Sequence, residues 1–237
     1  MQKYSHPNAF HYISVEGRRN WADAKSLKRE KRRTMAAMRE HYTDRAPAAG
    51  GLFGMFSEGF DRLWTPYILQ FTFPSIGNLP IITWFGVISI VAMLLTTLVV
   101  EFTNRKVDTS KQHSVVRGYM TLIALLIVVV MGFSLASGFI MAISFYWIAS
   151  ALRESIGPLY TTSINQNSKP EVRATVFSIA SQANSVGQIF GGPILGFIAT
   201  IISIRYGLFF GAISLIIILI LLLKSQLQLR GQSQALQ

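Results

Sequence analysis

Cysteine is absent from the 237-residue chain. That excludes disulfides, thiolate nucleophiles and cysteine metal sites, and it leaves the compartment open. Charge is scarce as well: 14% of the residues are charged, against roughly 25% in a soluble domain. It is missing altogether from four long stretches, 63–100, 118–152, 174–204 and 206–223. The histidines His6, His11, His41 and His113 lie outside these stretches and have no ligand spacing, so no metal site is expected. The chain has no Walker-type phosphate loop, no Gly-x-Ser-x-Gly and no His-Glu-x-x-His. No nucleophile–base pair stands out, so neither an enzyme nor a bound cofactor is expected. Residues 1–49 contain no apolar run, which argues against a secretory signal core.

What is abundant is hydrocarbon. Hydrophobic residues make up 51% of the chain and the mean hydropathy is +0.39. The uncharged runs are far longer than barrel strands and do not alternate, so the expected fold class is an all-α polytopic membrane protein. Turn and charge signals divide the chain into six predicted spans: 52–73, 81–102, 118–136, 139–165, 173–200 and 206–223. Residues 1–49 form a basic lead-in, within which 22–41 could be helical. The Pro-Ala-Ala-Gly-Gly run at 47–51 is a candidate flexible joint. Residues 50–223 form the expected bundle and 224–237 a polar tail.

The net charge is +11, and its placement carries the information. Eleven of the 22 Lys/Arg lie in residues 1–49. With the segments 103–117, 165–173 and 224–237 they make nineteen on one face, against Arg205 alone on the other. The positive-inside rule then puts both termini in the cytoplasm of a multi-pass cell-membrane protein. A basic excess beside membrane spans reads as topology rather than as nucleic-acid binding. An odd number of spans would destroy the asymmetry.

The first predicted span, LFGMFSEGFDRLWTPYILQFTF, is long enough to cross the bilayer, which needs about 20 residues. Yet Glu58, Asp61 and Arg62 lie near its middle. A charge at that depth costs at least about 2.5–3.5 kcal/mol unless it faces protein or water. Spacings of three and four residues let all three face one interior. Arg153 and Glu154 sit halfway along the fourth span. Adjacent helical residues point about 100° apart, so each is expected to pair with another helix: Arg153 with Asp61 or Glu58, Glu154 with Arg62. The five sum to −1, which leaves one carboxylate without a full cation partner. Such a group in a low-dielectric site takes up a proton reversibly, as a proton-coupled transporter requires. The alternative is that these charges are docking locks of a non-transporting assembly or regulatory subunit.

Trp64 and Trp147, at similar depth, line a site for an organic substrate or else pack in the core. Gln182 and Asn184 in the fifth span are costly in lipid and are expected to face protein or water. Gly187, Gly191 and Gly196 form a small-residue groove that admits another helix closely. Pro193, after Gly192, frees a backbone carbonyl and is expected to kink the helix, so that the run serves either for packing or as a hinge.

The segment 160–199, YTTSINQNSKPEVRATVFSIASQANSVGQIFGGPILGFIA, joins a Pro-Glu-x-Arg-Ala-Thr loop to a helix with a GxxxGGPxxG run. It resembles the penultimate helix of bacterial transporters of the major facilitator superfamily, and the chain resembles the C-terminal six-helix half of a multidrug or metabolite permease. Residues 1–49 would then correspond to the end of the central loop. The loop after the second span lacks the family's Asp-Arg-x-Gly-Arg pattern; Asn104-Arg105-Lys106 stands there instead. The resemblance implies two inverted three-helix repeats, with the charged first and fourth spans in corresponding positions. It implies alternating-access transport of a small organic solute, coupled to protons through Glu58, Asp61 or Glu154. It also implies a missing second half, supplied by another six-helix bundle or by a second copy of the chain.

Overall fold

A computed structural model describes residues 46–74, 80–168, 170 and 172–234. The candidate helix at 22–41 and most of the turn before residue 81 lie outside the described residues. Among those described there are six helices and no strands. They are α1 (46–68), α2 (Ile81–Lys106), α3 (Gln112–Ser134), α4 (Phe139–Asn167), α5 (Arg173–Ile201) and α6 (Ile204–Gln234). Five of them, α2 to α6, are long and apolar enough to cross a membrane, which marks a membrane protein.

Several helix ends fall elsewhere than the sequence suggests, for local reasons. The expected joint at 47–51 is helical, with Ala46 and Ala49 buried. Pro47 lies in the first described turn, where a missing N–H costs nothing. At its other end α1 stops at residue 68, five residues before the expected end. α2 runs past Phe102 to Lys106, where Arg105 pairs with Glu101 at 2.7 Å one turn back and basic residues suit a helix C-terminus. α3 begins at Gln112, so the polar connection shrinks to 107–111. α6 passes Leu223 and continues to Gln234.

Polar contacts show which ends lie together. At one end Tyr160 of α4 donates its hydroxyl to the Ala46 carbonyl (2.9 Å). There too the Gln166 amide donates to the Thr109 carbonyl. At the other end the Tyr67 hydroxyl meets the carbonyls of Ser134 (3.1 Å) and Ala136 (3.3 Å). Arg205 donates to the same Ala136 carbonyl at 3.1 Å. The helices therefore run up and down between two ends.

The core lies between α1, α3, α4 and α6. Phe56, Phe60, Tyr67, Ile123, Leu126, Phe133, Ala142 and Leu215 are its centre. α3 packs on α4 and α6, α2 on α4, and α5 on α6. α2 and α5 present wide apolar faces outward, including Ile82, Met93 and Leu98 on α2 and Ile189, Phe190 and Phe197 on α5. In lipid these faces need no cover, because association of spans depends on close packing and polar contacts rather than on escape from water.

Candidate functional site

α1 is held between α4 and α5, and that position sets the charges. On the α5 side, glycine meets backbone. A Cβ added at Gly187 would overlap the Gly51 carbonyl, one at Gly191 the backbone of Met55, and one at Gly54 the Asn184 carbonyl. Asn184 donates its amide to the Gly50 carbonyl (3.1 Å) and accepts from Gln188 (2.7 Å). The helix that enters the α5 groove is therefore α1, through Gly54 and through Gly50 and Gly51, which the sequence suggests as part of a flexible joint. Gly196 has no neighbour at its missing Cβ and takes no part, so the expected groove of Gly187, Gly191 and Gly196 stops short of it. Pro193 is exposed, and α5 continues through it as helix. Gln182 is exposed.

Gly192 serves the charges directly. A Cβ there would lie 2.6 Å from Arg62 Nε and 3.1 Å from Glu58 Cγ. Its absence makes room for the Glu58–Arg62 ion pair, 2.7 Å long across one turn of α1.

On the α4 side, Arg153 crosses to α1. Its Nη1 donates to Asp61 Oδ1 at 2.5 Å and lies 3.4 Å from the Ser57 carbonyl. The guanidinium sits 5.6 Å over the Phe60 ring, within cation–π range. Arg153 is the most enclosed of the five charges, with 15% of its side chain exposed, while Asp61 is half exposed. Arg153 Nε is buried and finds no hydrogen-bond partner among the described residues. Fourteen residues from the start of α4, it lies about 21 Å along a helix about 43 Å long.

The expected Arg62–Glu154 pair does not form. Arg62 is taken up by Glu58 on its own helix, and Glu154 Oε1 lies 3.5 Å from Arg153 Nη2. The long arginine stem spans the angle between adjacent positions, which the helical-wheel argument neglects. Pro158, which sequence reasoning passed over, lies in the next turn of α4. Its missing N–H leaves the Glu154 carbonyl without its helical donor.

Trp64 meets Phe85 of α2 edge-on, with 5.7 Å between ring centres, and has a second aromatic neighbour on α4. Trp64 stacks on Tyr146 (4.3 Å between ring centres) and Tyr146 on Phe60 (6.2 Å), so the aromatic column from Trp64 runs to the ring beneath Arg153. Trp147 turns to α2 and donates its indole N–H to the Ile88 carbonyl at 3.0 Å. Chemically, the site offers a carboxylate–guanidinium bond between two helices, with three further charged groups beside it. Among the described residues no group of acidic or histidine side chains is arranged to hold a metal.

The chain was compared with known families, curated proteins and solved structures, and none of them matches it.

Proposed function

We propose that the chain is one six-helix half of a secondary transporter of the major facilitator type, moving a small organic solute in a proton-coupled cycle. The observation that carries this reading is the Asp61–Arg153 bond between α1 and α4. Beside it Arg62 and Glu154 are more than half exposed and Glu58 about a quarter. Ionised groups are not retained against hydrocarbon at such depth. A water-filled cleft against a second bundle satisfies them, whether that bundle is another six-helix half or a second copy.

In this mechanism a proton reaching Asp61 removes the charge that binds Arg153 to α1. The freed guanidinium turns to an anionic substrate group or to Glu154, and α1 and α4 separate. Loss of the proton restores the bond. α1 and α4 are the first helices of the two three-helix repeats, so one event is felt in both. The Trp64–Tyr146 column supplies an apolar wall for an organic solute. The basic excess supports an orientation with both termini cytoplasmic, as expected of a multi-pass protein of the cell membrane.

The test is flux. The full chain is reconstituted in vesicles, alone and with a second bundle co-expressed, and pooled small solutes are added under an imposed pH gradient. Solute-dependent collapse of the gradient, lost in Asp61→Asn, is expected. If Glu58→Gln, Asp61→Asn and Glu154→Gln all leave that collapse intact, coupling through them is wrong. Stable assembly with another membrane protein and no flux under any condition would favour the docking-subunit reading.

A further inference from the structure

α2 and α3 follow one another in the chain but do not pack together; α2 leans on α4, and α3 on α4 and α6. The wedge between them is a groove of about 550 Å³, within the usual range for a ligand site. Leu152 of α4 contributes to its wall, with Val99 and Phe102 from α2 and Leu122 and Leu125 from α3. Phe102 and Leu125 are exposed, so the groove is reachable from the side.

The lining changes character toward the 107–111 connection, where Lys106, Lys111, His113 and Arg117 are found. Lys106 Nζ stands 5.7 Å over the Phe102 ring. Arg117 lies 3.4 Å from His113 Nε2. Lys111 is held by Asp108 at 3.1 Å, and the nearby Arg105 and Glu101 neutralise each other. Three cations therefore face one carboxylate. α3 starts at this mouth without a side-chain cap, and a helix start carries partial positive charge that favours an anion.

We infer that this groove holds an anionic phospholipid, its phosphodiester at Lys106, Arg117 and the start of α3, with one acyl chain lying along Val99, Leu122 and Leu125. The match is in charge and in length. Seven residues separate Lys106 from Val99, about 10 Å of helix, so the cations and the apolar wall suit a molecule charged at one end and hydrocarbon at the other. A free phosphate would leave the wall unused. A zwitterionic headgroup brings its own cation to a site already positive. The inference is independent of the transport reading.

The test is native mass spectrometry of the full chain in neutral detergent, titrated with dioleoyl-phosphatidylglycerol, dioleoyl-phosphatidylcholine and inorganic phosphate. Phosphatidylglycerol is expected to bind, phosphatidylcholine much more weakly, and phosphate not to compete at equal concentration. Each basic residue near the headgroup is worth about fivefold, so Lys106→Gln with Arg117→Gln lowers the phosphatidylglycerol affinity about 25-fold. Thr121→Trp, at an exposed position lining the groove, lowers it with every charge retained. Equal binding of the two lipids overturns the inference, as does unchanged binding in both variants. Competition by phosphate as effective as the lipid's own binding also overturns it, since it marks a headgroup site without a chain.

Discussion

Asp61 on α1 and Arg153 on α4 are joined at 2.5 Å, although 92 residues separate them in sequence. A reciprocal exchange isolates this bond. Asp61→Arg and Arg153→Asp are each expected to lower the thermal stability of the detergent-solubilised protein, and the double variant to recover part of the loss. Because Asp61 is half exposed, the coupling is expected near 1 kcal/mol, the upper end for pairs open to solvent. Thermal melts of the four proteins give the cycle, and strict additivity would show that the contact contributes nothing.

The contact between α1 and α5 is a sharper target. Gly187→Val and Gly191→Val force side-chain atoms into the α1 backbone and are expected to cost about 1–3 kcal/mol or more, as overpacking does. Gly196→Ala, with open space, is expected to have little effect. Melting temperatures of the three compared with the parent check this. Equal tolerance at 187 and 196 would mean that α1 does not sit in the groove.

Trp147→Phe keeps one aromatic ring and deletes the indole donor to the Ile88 carbonyl. The expected loss is about 1 kcal/mol, accompanied by faster amide exchange along the middle of α2.

The 107–111 connection has its own pH dependence. Hydrogen bonds from Ser110, with Lys111 beside it, hold the Asp108 carboxyl down from 3.8 to about 2. A carboxyl lowered in the folded state adds stability above its ordinary value and loses it as pH falls through the lowered one. The loop is therefore expected to stay ordered at pH 5 and to loosen between about pH 4 and pH 2. Asp108→Asn should show the loosened behaviour at every pH. Exchange rates of the 108–111 amides report both.

The missing cysteines make topology directly measurable. Ser110→Cys and Ser137→Cys lie at opposite ends of the bundle on exposed positions. With an impermeant maleimide, Ser110→Cys is expected to react only from the cytoplasmic side and Ser137→Cys only from outside. The reverse result would invert the orientation.

The spans from 81 onward are legible because lipid forbids charge, and charge-free runs expose that rule without any alignment. Their ends are less legible, since polar residues such as Arg105 and Gln112 remain helical beyond the apolar stretch. The Asp61–Arg153 bond could be anticipated from two unmatched charges within long apolar stretches. The partner of Glu154 could not, because it depends on how α4 is rotated and how far the Arg153 stem reaches. Gly50, Gly51 and Gly54 are ambiguous in sequence: next to a proline and a polar lead-in, glycines suit a hinge and a tight helix contact equally. The signal that could have decided was complementarity, two glycine-rich stretches in one chain, each able to fill the other. Tyr160 and Arg205, which fasten the two ends, give no local sign, since their acceptors are main-chain carbonyls.

Main chain touching main chain at Gly51 and Gly187 leaves no atoms to trim. A contact made by side chains can drift through conservative replacements, one methyl at a time; this one has a single acceptable residue at 187 and room for no more than a small one at 51. A saturation library of the gene should therefore return glycine alone at 54, 187 and 191 and small residues at 51, while position 196 accepts whatever the bilayer accepts.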